Sequence, residues 1–216
     1  MKNITHSSAA FCMQPQLFPS SSDRNQKKDL IHWIKDPGSA ITHGIGFILS
    51  FIAAFPLVSL AVQSGDIRKI IAMSVFSLSM MALYAASTCY HTFRGSPKSE
   101  TLRKKIDHMM IFVLIAGSYT PICLLVLERR TGLIMLALVW GIAITGIIIK
   151  GFWVFCPKWV SSVLYISMGW ICVLAFSQIL NNLTRAEFGW LLAGGIIYTI
   201  GGVIYALKLP IFNSKH

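Results

Sequence analysis

The side chains most suited to chemistry lie between Ser87 and Asp107, at the junction of two apolar runs. The sequence reads Ser-Thr-Cys-Tyr-His from Ser87 to His91, and Asp-His follows at Asp107 after a basic connection. Ser87 and His91 are four residues apart, so a helix would put both on one face. Histidine and aspartate side chains transfer protons in catalysis. Ionisable groups at membrane depth are costly and usually face a bundle interior or a cavity, which makes this stretch the leading candidate for a functional site.

The composition is that of a polytopic membrane protein. The chain has 216 residues, of which 55% are hydrophobic and 12% are charged, and its mean hydropathy is +0.65. A soluble domain has about a quarter of its residues charged. The net charge of +11 comes from basic residues that cluster in the connections between apolar runs. Membrane topology therefore explains the charge, and nucleic-acid binding is not expected.

Six apolar runs predict an all-α, polytopic helical membrane bundle. The runs cover 40–63, 68–91, 107–127, 132–150, 159–180 and 188–207. Each has about twenty residues, which is enough for a helix to cross a bilayer core of about 30 Å. The chain accordingly divides into an N-terminal tail, the bundle and a C-terminal end, at 1–35, 36–210 and 211–216. The polar connection 92–106 would leave the membrane, so the second and third helices would form a hairpin that brings Ser87, His91 and Asp107 to one end.

The distribution of Lys and Arg predicts the orientation of the bundle. With six spans, fourteen of these residues fall on the side of the N-terminal tail and five on the other side. The fourteen include Lys150, which we assign to the connection after the fourth run. The positive-inside rule then places the N-terminus in the cytoplasm, and we expect a multi-pass protein of the cell (inner) membrane. His43, His91 and Asp107 would all lie at the cytoplasmic end.

Each candidate residue also has an interpretation that involves no function. A carboxylate at the start of a helix is favoured by the helix dipole, which would explain the position of Asp107. The Ser87 hydroxyl could bond to the carbonyl one turn back in its own helix. His43 would then pack or cap its helix, and His108 would face the lipid headgroups.

Three motifs, in their order and spacing, resemble the hemolysin III family of bacterial membrane proteins. They are Asp36-Pro-Gly-Ser-Ala-Ile-Thr-His-Gly-Ile-Gly46, Ser87-Thr-Cys-Tyr-His91 and the stretch from Asp107 to Pro121. That family is related to the progestin and adipoQ receptors and more loosely to alkaline ceramidases. The resemblance runs from about residue 36 to residue 210. Asp36 stands where the family often has Glu, and Ser39 where it often has Asn.

The resemblance implies a zinc site at one end of the bundle. His91 would be a zinc ligand, and Asp107 would hold a zinc-bound water. Ser87 would lie beside the site. His43 would contact the zinc ligands without binding the metal itself. The implied function is a zinc-dependent membrane hydrolase, acting on lipid amide bonds by analogy with the ceramidases. Two alternatives stay open, a membrane-perturbing or pore-forming protein and a receptor-like protein of lipid homeostasis without catalysis. Membrane lipids are the expected partners in each case.

One departure from the family concerns the remaining zinc ligands. The resemblance implies seven helices, of which the seventh carries His-x-x-x-His and supplies two ligands. This sequence contains no such motif. One histidine and one aspartate are too few for a catalytic zinc site, which normally has three protein ligands. We therefore expect that the seventh helix is missing and that the zinc site is incomplete.

Overall fold

The structure, a computed structural model, describes residues 34–207, and its regular elements in that range are helices. These are α1 (Pro37–Gln63), α2 (Ile67–Thr92), α3 (Pro97–Pro121), α4 (Arg129–Phe152), α5 (Lys158–Gly169), α6 (Phe176–Asn182) and α7 (Arg185–Leu207). A π-helical turn at Ile122–Val126 extends α3, and a 3₁₀ segment at Trp170–Ala175 joins α5 to α6. Most of the predicted tail at 1–35, and the predicted end at 211–216, lie outside the described residues.

Six helical segments of the described chain are long and apolar enough to cross a membrane. They are α1, α2, α3 with its π-helical turn, α4, the α5–α6 segment and α7. The prediction of an all-α bundle with six spans is therefore confirmed. The connections are short, so α1, α2, α3 and α4 pack as sequential neighbours, and α7 packs against α5. We call the end at which α1 begins and α2 ends the basic end.

The start of α3 differs from the prediction. We expected the helix to begin at Asp107, but it begins at Pro97, about three turns earlier. The Ser96 side chain accepts a hydrogen bond from the Ser99 amide and caps the helix. Pro97 occupies the first helical turn, where a backbone N–H would have no partner within the helix, so the missing N–H of proline costs nothing. Hydropathy marks only the apolar part of a helix, so this polar extension was not recognised.

The fourth helix also extends beyond its predicted end. It continues to Phe152, and Lys150 lies in its last turn with only 1% of its surface exposed. Lys150, which ends the predicted fourth run but was counted with the following connection, therefore belongs to the helix. Its charge contributed to the sequence pattern for topology, but the side chain is inside the bundle.

The core lies around α3, which is packed against α4 and α5. Phe112 and Ala116 of α3 pack with Val139 and Ala143 of α4 and with Met168 of α5, and all five are almost fully buried. Close contact of the helices requires small residues, as is common in membrane bundles. A Cβ atom on Gly46 of α1 would lie 2.6 Å from the Tyr84 ring of α2. In contrast, α7 has no buried residue.

The break in the fifth span is bonded to α3 through a tyrosine. The Tyr119 hydroxyl donates to the Gly169 carbonyl at 2.5 Å and accepts from the Cys172 amide at 2.8 Å. A backbone N–H or C=O group that loses its helical hydrogen bond at membrane depth needs a hydrogen-bond partner inside the protein, because lipid offers none. Tyr119 therefore permits the change from α5 to the 3₁₀ segment.

Candidate functional site

The chain before α1 is attached to the end of α2. The Lys35 amide donates to the Thr92 carbonyl at 3.2 Å, and the Asp36 amide donates to the His91 carbonyl at 2.9 Å. Ile34 and Phe93 form an isolated antiparallel bridge. Asp36 then precedes Pro37, which begins α1. The start of the first helix is thereby held beside the end of the second, and the Asp36 carboxylate lies next to the His91 ring.

Asp36 and His91 form a carboxylate–imidazole pair. The Asp36 Oδ2 atom lies 3.2 Å from His91 Nδ1 and accepts a hydrogen bond from the Ser39 hydroxyl at 2.6 Å. The Ser39 hydrogen bond lowers the pKa of the Asp36 carboxyl, partial burial opposes this, and His91 adds a smaller lowering. A carboxylate at this position favours the tautomer of a neutral imidazole with its proton on Nδ1, which leaves Nε2 available to a ligand.

His43 lies against His91. The two rings are stacked, with centroids 5.6 Å apart and planes 26° apart, and the Tyr84 ring lies 6.0 Å from that of His43. The Nδ1 atom of His43 is buried and has no hydrogen-bond partner within residues 34–207. His43 also lies within Coulombic range of Asp36 and Asp107. The structure thus brings His43 to the place where the sequence predicted it, while its role stays a prediction.

Asp107 is buried on α3 near the same end of the bundle. Its side chain is 13% exposed, and Oδ2 lies 3.6 Å from Nδ1 of His108. Because α3 begins at Pro97, Asp107 is well inside the helix, and the interpretation as a helix N-terminal carboxylate fails. A carboxylate at this depth therefore needs another explanation.

The prediction that His108 faces the headgroups is wrong. Its side chain is only 12% exposed. Nδ1 lies 2.8 Å from the Lys104 carbonyl, and Nε2 lies 3.4 Å from the Tyr205 hydroxyl of α7. The Tyr165 hydroxyl of α5 donates to the His108 carbonyl at 3.1 Å. Three helices therefore meet at the Asp107–His108 dipeptide, and none of these contacts has a local sequence signal.

Ser87 is almost fully buried, one turn before His91 in α2. Its neighbour Thr88 makes the bond to the preceding turn, because the Thr88 hydroxyl donates to the Tyr84 carbonyl at 2.6 Å. Ser87 and His91 therefore share a helix face, as their spacing predicted. The catalytic roles of Ser87 and Asp107 and the ligand role of His91 stay predictions.

The described residues do not by themselves fit a catalytic zinc ion. Within residues 34–207 there is no group of three or more His, Cys, Asp or Glu side chains that could hold a metal ion. Catalytic zinc normally requires three protein ligands. These residues do contain one feature of zinc sites, a histidine with a carboxylate oxygen 3.2 Å from its Nδ1 atom.

An apolar cavity lies apart from this cluster. Its volume is about 370 Å³, and it lies between α3, the 3₁₀ segment and α7, with Tyr119, Trp170 and Tyr198 in its wall. None of Ser87, His91 and Asp107 lines it. The cavity therefore lies away from the candidate residues at the basic end.

The sequence interpretation missed Asp36 as the partner of His91. Asp36 was noted only as part of the first motif, where it replaces a frequent Glu of the family. Its contact with His91 depends on the pairing of residues 34–36 with the end of α2, which joins distant parts of the chain. The only local indication of this role was that an acidic residue stands directly before Pro37, at the start of a helix.

Comparison with known proteins identifies the family. The family model described as "Haemolysin-III related" matches residues 31–213. The chain is 43% identical over 176 residues to Hemolysin-3 of Bacillus cereus, covering 81% of this chain and 80% of that protein. It is 38% identical over 170 residues to the Hemolysin-3 homolog of Bacillus subtilis (strain 168), covering 79% of each. It is 25% identical over 218 residues to the adiponectin receptor protein of Drosophila melanogaster, covering 89% of this chain and 46% of that receptor. No solved structure matches. The chain is a multi-pass membrane protein that belongs to the haemolysin III-related family.

Proposed function

We propose that the polar cluster at the basic end belongs to a zinc-dependent membrane hydrolase. By this we mean Asp36, His43, Ser87, His91 and Asp107, of which Asp36 and His43 contact His91. The observation that carries the proposal is the Asp36–His91 pair, in which a carboxylate 3.2 Å from Nδ1 orients the imidazole and leaves Nε2 available. The burial of the Asp107 carboxylate well inside α3 supports it, because such a group is costly without a function or a partner.

Each residue has a role that its own chemistry allows. Asp36 would orient His91 as a ligand, and Asp107 would hold a water molecule and accept its proton. Zinc, when bound, would lower the pKa of its water towards neutrality. The ligands still needed would come from outside residues 34–207, since the described residues offer no group of three.

The substrate class is proposed from the position of the site and from the resemblance to ceramidases. The cluster lies where α1 begins and α2 ends, and the charge distribution predicts the cytoplasmic membrane surface there. The linkage between the headgroup and the acyl chain of a lipid lies at the same depth. A lipid amide bond is therefore the proposed target, and membrane lipids are the proposed partners.

Acyl-chain release in proteoliposomes tests the proposal. The purified chain is incubated with zinc and an N-acyl sphingoid lipid that carries a fluorescent acyl chain. We expect slow release that is lost in Asp107→Asn and retained in Asp66→Asn. Asp66 is a matched control, because it caps α2 through the Arg68 amide at 2.9 Å and Asn caps a helix equally well. Equal release by both variants, or no release by a zinc-loaded chain, would contradict the proposal.

Membrane permeabilisation is the second candidate, and it is favoured by the name of the Bacillus cereus relative, Hemolysin-3. The described spans argue against a static polar channel. Ser79 of α2 and Thr120 of α3 are buried, but their hydroxyls donate to carbonyls of their own helices, Phe76 and Ala116. Dye leakage from the same proteoliposomes separates the two functions. Leakage that persists in Asp107→Asn would favour permeabilisation, and tight lipid binding without leakage or release would favour a receptor-like protein.

A further inference from the structure

A second polar cluster lies where α4 is connected to α5, and it has no part in the function proposed above. The Lys150 Nζ atom donates to the Ser161 hydroxyl at 2.5 Å and to the Cys156 sulfur at 2.8 Å. The Cys156 sulfur lies 3.2 Å from the Ser161 hydroxyl. Three side chains of different chemistry are thus in mutual contact, one from each helix and one from the connection between them.

Lys150 is buried without a carboxylate among its hydrogen-bond partners in residues 34–207. Lysine is rarely buried unless it is paired, because a charged ammonium loses its hydration. Lys150 is 1% exposed, and its bonds go to a thiol and a hydroxyl, with the Tyr165 ring 6.0 Å from Nζ. The Cys156 thiolate is therefore the anion that would best balance its charge.

The environment of Cys156 favours that thiolate. Burial opposes ionisation, but the hydrogen bonds from Lys150 and Ser161 outweigh it and lower the pKa of the Cys156 thiol. Access to the cluster is also selective. Lys150 and Ser161 are each 1% exposed, whereas Cys156 is partly exposed, so a small reagent meets the sulfur first. The thiolate is the nucleophilic form of cysteine.

We propose that Cys156 is a hydroperoxide-reactive thiol and that Lys150 captures its oxidised sulfur. The thiolate attacks the terminal oxygen of a hydroperoxide, the O–O bond breaks, and the sulfur becomes a sulfenic acid. The departing alkoxide or hydroxide takes a proton from the Lys150 ammonium and leaves as an alcohol or water, so that Lys150 becomes a neutral amine. Its amine then attacks the sulfur, an S–N bond forms, and the S–O bond breaks with loss of water. One peroxide is thus reduced, and the chain gains a sulfenamide bond between α4 and the connection.

The rate of thiol oxidation tests the first step in the unaltered chain. Cys89 is an internal control, because it is exposed on α2 and has no hydrogen bond from a lysine within residues 34–207. The chain in lipid vesicles is treated with hydrogen peroxide, and sulfenic acids are trapped with a dimedone-type reagent. We expect Cys156 to be labelled about tenfold faster than Cys89. Equal rates at the two cysteines would overturn the proposal.

The source of the peroxide is distinguished by a second arm. Vesicles that contain a phospholipid hydroperoxide replace aqueous hydrogen peroxide, and the two reagents are compared at equal concentration. Faster oxidation of Cys156 by the lipid reagent assigns the site to membrane peroxides, and faster oxidation by hydrogen peroxide assigns it to aqueous peroxides. If Cys156 reacts no faster than Cys89 with either reagent, the proposal is overturned.

Mass spectrometry tests the capture by Lys150. Without the trapping reagent, we expect a cross-linked peptide pair of Lys150 and Cys156 that lacks two hydrogens and is cleaved by a thiol reductant. Lys150→Arg keeps the positive charge but removes the primary amine, so Cys156 should still oxidise rapidly and remain a sulfenic acid. A sulfenic acid that persists uncrosslinked in the unaltered chain, or rapid cross-linking in Lys150→Arg, would overturn the capture step.

Discussion

The orientation of His91 is set by a single carboxylate from a distant part of the chain. Asp36 reaches His91 only because residues 34–36 pair with the end of α2, and Ser39 then bonds to the same carboxylate. The sequence motifs predicted that His43, His91 and Asp107 would lie near one another. They did not predict the partner of His91, because a pairing between distant backbone segments leaves no periodic pattern.

The charge of Asp36 predicts a dependence of stability on pH. Because the folded protein lowers the pKa of Asp36, its contribution is fully present above the unfolded carboxyl pKa near 4 and is lost as the pH falls through the folded value. Asp36→Asn should reduce stability at pH 7 by less than about 1 kcal/mol, since the carboxylate is half exposed. Thermal unfolding in detergent from about pH 7 to about pH 3 is the measurement. A difference between the proteins that does not shrink at low pH would contradict this contribution.

Two substitutions of His91 separate its contact with Asp36 from its proposed ligand role. The Asn amide can replace Nδ1 as a donor to Asp36, so His91→Asn should unfold at nearly the temperature of the unaltered chain. His91→Leu cannot donate and should be less stable by about 1 kcal/mol. Thermal unfolding of the two variants under identical conditions is the measurement. Equal losses in both would show that the Asp36 contact does not stabilise the fold.

At the scale of single helices, hydropathy located the membrane segments but missed their polar extensions. The start of α3 at Pro97 and the burial of Lys150 in α4 are the two clearest examples. Both involve charged residues that continue a helix beyond its apolar part. The Ser96-Pro97 pair was a usable local signal for the first. The second depends on packing against Cys156 and Ser161, which the sequence does not encode locally.

Two glycines of α4 should respond differently to the same substitution. A Cβ atom on Gly146 would overlap the buried ring of Phe112, whereas a Cβ atom on Gly141 would meet nothing within 4 Å. Gly146→Ala should therefore reduce stability by about 1 to 3 kcal/mol through overpacking. Gly141→Ala should be neutral or slightly stabilising, because alanine favours a helix. Thermal unfolding of both variants checks the helix contact, and a neutral Gly146→Ala would contradict it.

At the scale of the whole molecule, the number of spans was predictable and the arrangement of side chains was not. Each apolar run is long enough to cross a bilayer, and that property depends only on local composition. The contact of His108 with Tyr205 and the bond of Tyr119 to Gly169 depend on how α3, α5 and α7 pack. Such contacts join distant residues, so no local pattern predicts them.

The charge distribution predicts the topology, which reporter fusions can test. Fusions after Gly95 and Pro157, in the connections at the basic end, should report the cytoplasm. Fusions after Gly65 and Glu128, at the opposite end, should report the outer side. The sequence assigns most of the Lys and Arg residues to the side of the basic end, and such residues are retained in the cytoplasm during insertion. The reverse pattern would contradict the orientation and the proposed cytoplasmic position of His91.

We predict that His91 contributes to a zinc site that needs ligands beyond residues 34–207, and zinc content tests this prediction most directly. The unaltered chain, dialysed against a weak chelator, should retain far less than about one zinc per chain, because three protein ligands are normally required. Fusion of a membrane-spanning helix that carries His-x-x-x-His to the C-terminus should raise the content to about one zinc per chain. That zinc should be lost on His91→Asn, which keeps a hydrogen-bond donor beside Asp36. A fusion that binds no zinc, or that keeps its zinc in His91→Asn, would contradict the claim.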